Sequence, residues 1–317
     1  MARTRKTRRL DSQTNRGTMK VKLLYTDGKG SFEEIEWTKP AHKSNEIEVK
    51  ALMTGVCRSD IEMMVGNFGP LPKEMQGHEG LGEVTQVGEL IKNVKVGDIV
   101  ATRGEPAYAD YYNCRHNEFV VVPSADPKYI LEPVACGINV IMQPLDAIKT
   151  RVGPNKRCLI LGSGFLAWIA YNSLERFGLT FETVDVVGSY NKHLWGDTLK
   201  QSYSGAYDVV IDLSSRTNIL DDVAFNNEAL LILGVQKQLT SDFGNLLWKA
   251  CTIVFPSPRA DCFIKSMELA ESMITNNQVD IDDFWTKGYS RTTEWQQAFE
   301  DGLNRPDNYS RGYIKWD

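Results

Sequence analysis

The run Leu159-Ile160-Leu161-Gly162-Ser163-Gly164-Phe165-Leu166-Ala167 constrains the fold more than any other stretch of this 317-residue chain. Three apolar residues of the buried-strand type meet G-x-G-x-x-A, and a helical pattern follows to about Phe177. Glycine permits a tight turn and lets backbone N–H groups approach a pyrophosphate, while the helix start adds favourable partial charge. Ala167 lets helix and strand pack closely. Asp185 stands 18 residues after Ala167, near the end of the next apolar stretch, where a carboxylate can take the ribose hydroxyls of a dinucleotide. This context predicts a dinucleotide site at Gly162, Gly164, Phe165, Leu166 and Asp185, with NAD favoured over NADP. If that strand ends at Gly188, then Ser189, Tyr190 and Lys192 line the pocket and can accept a 2′-phosphate.

Around this turn the chain divides. From Lys20 to about Val122, short apolar or alternating stretches (Val21 to Tyr25, Glu46 to Met53, Gly82 to Val87, Asp98 to Ala101, Glu118 to Val122) are separated by Gly, Pro and Asn, which predicts a small β-barrel-like domain. After Lys156, strands at Cys158 to Leu161, Thr183 to Val187, Val209 to Leu213, Ala229 to Gly234 and Thr252 to Phe255 alternate with helical or linking segments, the pattern of a parallel α/β sheet. Phe263 to Ile274 reads as an amphipathic helix and Tyr313 to Trp316 as a last short strand. The predicted organisation is a barrel-like catalytic domain over 19–140 and 263–317, and a shortened Rossmann domain over 141–262.

Charge and cysteine content limit the functional classes. The net charge is −5, yet residues 1–18 alone carry six basic groups and only Asp11 against them. The body is therefore acidic and a poor match for non-specific nucleic-acid binding. The basic start has almost nothing apolar to bury and reads as a solvated extension. No apolar run approaches a bilayer span, and no secretory h-region is present, so the expectation is a cytoplasmic protein without a membrane partner. The six cysteines form no C-x-x-C pair, so metal ligation or burial is expected for them rather than a disulfide framework.

Three further segments carry chemistry: Gly55-Val56-Cys57-Arg58-Ser59-Asp60, Gly77-His78-Glu79-Gly80 and Leu131-Glu132-Pro133-Val134-Ala135-Cys136. Thiolate, imidazole and carboxylate suit zinc, and three protein ligands with an open position define a catalytic site. Their separation is too great for a zinc finger, so they must converge through the fold. Buried structural cysteines and an exposed histidine are the plainer account of the same residues.

Together, G-x-C-x-S-D, G-H-E-G, E-P and the nucleotide turn resemble the zinc-dependent medium-chain alcohol and polyol dehydrogenases, in the sorbitol- and threonine-dehydrogenase-like branch. The resemblance runs from Met19 onward. It implies a GroES-like domain joined to a Rossmann domain, one catalytic zinc per chain, NAD (with NADP possible) and an alcohol or carbonyl substrate. It implies zinc ligation by Cys57, His78 and Glu132, with Cys136 as the rival third ligand and Glu79 able to approach the metal. Asp60 would orient His78, Ser59 would carry the substrate proton towards solvent, and Arg58 would contact the cofactor phosphates. Ser59 and Asp60 could equally cap a helix beginning near Ile61. A homodimer or homotetramer is implied as well. The chain departs from the family between Gly97 and Phe119, where only Cys114 remains and the structural-zinc lobe is missing; Tyr108, Tyr111 and Tyr112 fall there and could line the cleft or an interface, with surface packing the plainer account. Only 26 residues separate Asp185 from Asp212, so one element of the Rossmann half looks absent. Two alternatives stay open: a metal-free NADP(H) reductase of the same superfamily, and a nucleotide-binding protein without catalysis.

Overall fold

The structure, a computed structural model, describes residues 18–68, 71–235 and 243–317. The basic extension expected at residues 1–18 falls outside these except for its last residue.

The first half is antiparallel. β1 (Met19–Tyr25) and β2 (Glu33–Lys39) form a hairpin with Val21 opposite Trp37. β3 (Glu46–Gly55) is the centre of a second sheet, flanked by β4 (Gly80–Val87) and by β6 (Tyr111–Arg115), with β5 (Ile99–Thr102) and β7 (Phe119–Val121) beyond β4. The chain returns at its end through β14 (Trp285–Ser290) and β15 (Arg311–Lys315), and β15 pairs with β3. Among the described residues the sheet order is β14-β15-β3-β4-β5-β7, a GroES-like sheet whose ladders do not close into a ring. The barrel expected from the sequence is thus open, because β7 and β14 are both edges.

The second half is parallel throughout. β8 (Gly153–Leu161), β9 (Phe181–Val187), β10 (Leu199–Lys200), β11 (Ala206–Asp212), β12 (Ala224–Leu233) and β13 (Thr252–Val254) stand in the order β10-β9-β8-β11-β12-β13. The order reverses between β8 and β11, which opens a crevice at the carboxyl ends of those strands. The element expected to be absent is present but reduced: the third strand is the two-residue β10. The helix before it shrinks to one turn.

Nine α-helices are described: α1 (Arg58–Met64), α2 (Glu132–Met142), α3 (Leu145–Lys149), α4 (Phe165–Arg176), α5 (Lys192–Trp195), α6 (Ile219–Asp222), α7 (Gly244–Trp248), α8 (Phe263–Thr275) and α9 (Trp295–Asn304). α2 is buried along almost its whole length and holds the halves together. Val134 and Ile138 share one core with Leu81 and Ala101 of the GroES-like sheet, Phe165 and Ile169 of α4, and Met267 and Ala270 of α8. Burying a side chain of that size contributes about 1.5–3 kcal/mol, so the two halves are joined by packing as well as by covalent chain. None of the described helices is long and apolar enough to cross a membrane.

Candidate functional site

α1 begins directly after β3, and Cys57 is its N-cap. Asp60 lies at the third position of the helix and accepts the Cys57 backbone N–H through Oδ2 at 2.9 Å, a capping arrangement that fixes the start of α1. The same Oδ2 accepts the Tyr108 hydroxyl at 2.8 Å. Asp60 Oδ1 faces His78 Nδ1 at 3.7 Å and, although buried, receives no hydrogen bond. Asp60 therefore both caps the helix and stands behind the imidazole. Ser59 Oγ is 3.5 Å from His78 Nε2, at the outer edge of hydrogen bonding.

His78 comes from the turn into β4. Gly77 before it has φ +75°, and a Cβ there would strike the Tyr108 ring at 2.6 Å, so only glycine lets the ring seat behind the imidazole. Tyr108 and Tyr112 are fully buried. Surface packing is therefore corrected for these two, which sit in the core, while Tyr111 is half-buried.

One donor atom from each of Cys57, His78 and Glu79 lies within 4.8 Å of the others. The third member of that trio is Glu79, where the sequence reading favoured Glu132. Glu132 is nearby: it heads α2, is 2% exposed, accepts the Cys136 thiol at 3.3 Å and acts electrostatically on His78. Glu79 is also held by Arg311, whose Nη2 reaches both carboxylate oxygens at 2.6 and 2.5 Å.

The electrostatics of the group are those of a site short of positive charge. Burial pushes the Cys57 thiol up, and Glu79 adds to the rise. Burial likewise raises Asp60 and Glu132. Burial disfavours a charged His78, but Asp60, Cys57 and Glu132 outweigh it and hold the imidazole well above its usual range. Protons are thus retained where anionic donors crowd together, and Asp60 Oδ1 stays orphaned. A divalent cation among Cys57, His78 and a carboxylate replaces those protons, so the donor set fits zinc.

The nucleotide turn is built as the sequence implies. Gly162 has φ +110° and would meet Leu213 O at 2.7 Å with any side chain, whereas a Cβ on Gly164, the N-cap of α4, meets nothing within 4 Å. That open space above a helix N-terminus is room for an anion. Phe165 and Leu166 serve differently: both side chains belong to the core, so only their backbone faces the turn.

Asp185 also departs from its expected setting. It pairs with Leu159, two residues inside the end of β9, and is 3% exposed. Its carboxylate is taken by Tyr207 Oη at 2.7 Å, Arg157 Nη2 at 3.1 Å and Lys200 Nζ. The strand ends at Val187, and the following Tyr190 exchanges backbone hydrogen bonds with Ser163 Oγ at 2.8 and 2.7 Å. Gly188, Tyr190 and Asn191 thus pack against Ser163 of the turn.

A cavity of about 50 Å³ lies between these regions, lined by Cys57, Arg58, Arg305, Tyr309 and Arg311. Arg58 also pairs with Glu62 at 2.6 Å. Arg305, which follows α9, lies 5.6 Å from the Tyr190 ring. Arg311 lies 5.0 Å from both Phe165 and Trp285. Sequence reasoning missed Arg305 and Arg311, whose partners are far away along the chain; the only signal was that Arg311 stands two residues before the last predicted strand. A larger hollow of about 310 Å³ over the β1–β2 hairpin is lined by Lys20, Lys22, Glu34 and Glu36, which pair with one another, and lies away from this chemistry.

Residues 43–130 match the alcohol dehydrogenase GroES-like domain. An alcohol dehydrogenase of Moraxella sp. (strain TAE123) is 26% identical over 200 residues, covering 53% of this chain and 58% of that enzyme. D-arabinitol dehydrogenase 1 of Uromyces fabae is 21% identical over 339 residues, covering 89% of this chain and 94% of that protein. A solved alcohol dehydrogenase of Escherichia coli CFT073, complexed with NADH, superposes with a TM-score of 0.74 at 16% identity over 95% of this chain and all of its own, which shows a shared fold. With the domain match, these relatives and a Rossmann sheet on one chain, the protein is similar to the medium-chain alcohol and polyol dehydrogenases, and residues 43–130 carry their GroES-like domain.

Proposed function

We propose that this protein is a zinc-dependent dehydrogenase that moves hydride between a secondary alcohol or polyol, or its ketone, and a nicotinamide dinucleotide. The observation that carries the proposal is the meeting of Cys57, His78 and Glu79 within 4.8 Å beside the crevice of a Rossmann sheet. Cys57, His78 and one of Glu79 and Glu132 would hold the metal. A divalent ion there supplies Lewis acidity, which brings a substrate hydroxyl towards deprotonation near neutral pH.

The chain's own residues do the rest. Asp60, gripped by Tyr108 and the Cys57 amide, sets the imidazole's orientation. Arg311 holds Glu79 by an ion pair in the position where its carboxylate already lies within 4.8 Å of the Cys57 and His78 donors. Ser59, beside His78, is the hydroxyl best placed to accept the substrate proton and pass it outward. Gly164 and the start of α4 take a phosphate, and Arg58, Arg305 and Arg311 supply positive charge across the crevice. α2 and its core exclude water between the metal donors and the nucleotide turn.

The test is elemental analysis of the purified full chain, followed by a screen of alcohols read at the NAD(P)H absorbance. About one zinc per chain and dinucleotide-dependent oxidation are expected, with both lost in Cys57→Ala while the circular dichroism spectrum is retained. Cofactor binding without metal would support the metal-free reductase instead, and binding of neither would support a non-catalytic protein.

A further inference from the structure

A dinucleotide seated on the start of α4 directs its adenosine ribose towards the end of the next parallel strand. There a carboxylate takes the ribose hydroxyls, or a cation takes a 2′-phosphate. That strand is β9, which pairs with β8 directly before the Gly-rich turn. The carboxylate nearest its end cannot serve the ribose. Asp185 is 3% exposed, and its oxygens are taken by Tyr207, Arg157 and Lys200. From Val186 to Gly196 the chain then carries no aspartate or glutamate.

The segment after β9 is pressed onto the turn. A Cβ on Gly188 would strike Ser163 Oγ at 2.4 Å and its backbone N at 2.7 Å, so only glycine allows the approach. The Tyr190 N–H donates to Ser163 Oγ at 2.8 Å, and that hydroxyl donates to the Tyr190 carbonyl at 2.7 Å. Ser189 stands between these two contacts and is exposed, and Ser163 itself stands between the two glycines of the turn. The backbone therefore fixes Ser189 next to the place where the dinucleotide is seated. Lys192 follows, also exposed. From the other half of the molecule, Arg305 lines the cavity beside Cys57 and brings its guanidinium to 5.6 Å from the Tyr190 ring, which is 58% exposed. Among the described residues neither Lys192 nor Arg305 is committed to a carboxylate. The end of β9 thus offers a hydroxyl and two cations to whatever the ribose carries.

We infer that the dinucleotide is NADP(H) rather than NAD(H), with Ser189, Lys192 and Arg305 taking its 2′-phosphate. This choice deepens the dehydrogenase reading and rests on it for the reaction, but rests only on the Gly-rich turn and β9 for the binding. An ammonium and a guanidinium give a phosphate charge-assisted hydrogen bonds without first breaking ion pairs of their own. The ribose hydroxyls of NAD(H) would meet the same two cations and no carboxylate from this segment to accept from them.

The full chain is titrated with NADPH and with NADH, followed by energy transfer from tryptophan to the reduced nicotinamide, and each titration is competed with 2′,5′-ADP and with 5′-AMP. NADPH should bind roughly tenfold or more tighter than NADH, the scale of a charge-assisted hydrogen bond. The 2′-phosphorylated competitor should be the stronger by a similar factor. Lys192→Ala should weaken NADPH and spare NADH. Ser189→Asp, which sets a carboxylate beside the ribose, should narrow or reverse the preference, chiefly by weakening NADPH. Equal affinities in the native chain, tighter binding of NADH, or a preference that neither variant changes overturns the inference. The native comparison stands even if a variant fails to fold. NADPH-selective binding without oxidation of any alcohol would sink the dehydrogenase reading and leave this one intact. Alcohol oxidation with NAD preferred would do the reverse.

Discussion

Asp60 is the residue on which the candidate metal site is hung. Two donors, the Tyr108 hydroxyl and the Cys57 amide, meet on a single oxygen and leave the other towards His78. Tyr108 therefore acts on the imidazole through the carboxylate, as a positioning residue. Tyr108→Phe removes one donor from a buried, charged acceptor. The expected cost is about 1–3 kcal/mol in denaturant unfolding. The rotated carboxylate should also release zinc roughly tenfold more readily to a competing chelator. Unchanged zinc retention with reduced stability would reduce Tyr108 to packing. In cobalt-substituted protein the same variant should alter the visible absorption of the metal, a signature that loss of packing elsewhere would not produce.

At the scale of elements, β9 shows what a sequence can and cannot display. Its apolar run was legible, and so was an acid at the spacing that a ribose-binding carboxylate has. Its end at Val187 was legible as well, but nothing local revealed that Arg157, Lys200 and Tyr207 converge on Asp185 from elsewhere in the chain. Cys57, His78 and the Gly162 turn were readable because each sits in a short motif with its own backbone requirement. Arg311 and the inward turn of Tyr108 were not, because their partners, Glu79 and Asp60, are brought to them across long stretches of chain. A prediction follows for Asp185. Burial alone would raise its carboxyl, but Lys200, Tyr207 and Arg157 together hold it below the ordinary range. A carboxyl depressed in the folded state adds stability that is present above its unfolded pKa and is lost as the pH falls through its folded value. Asp185→Asn should therefore lower stability at neutral pH and flatten the acid limb of the unfolding profile, while leaving the ratio of NAD to NADP affinity unchanged. A selective loss of NAD would return the residue to the ribose.

For the whole molecule, the outer edge of the Rossmann sheet invites a second copy. β13 pairs with β12 on one side, and no described strand lies on the other. Beside that open edge Trp248 is 89% exposed and Leu247 79%, and Phe243 and Phe255 are exposed too. A soluble chain rarely leaves large side chains so bare next to unpaired backbone donors and acceptors. A twofold axis through β13 would set the strand antiparallel to its own copy, satisfy both edges and sandwich these side chains in one self-complementary patch. The occupant we predict is therefore another molecule of this chain. Sedimentation velocity at micromolar concentration should give a dimer, and the double substitution Leu247→Lys with Trp248→Glu should give a folded monomer. A native chain that sediments as a monomer, or a double variant that stays dimeric, would move the interface away from this edge. The crevice between β8 and β11 lies three strands in from β13, so the edge can associate without closing the path to the candidate site.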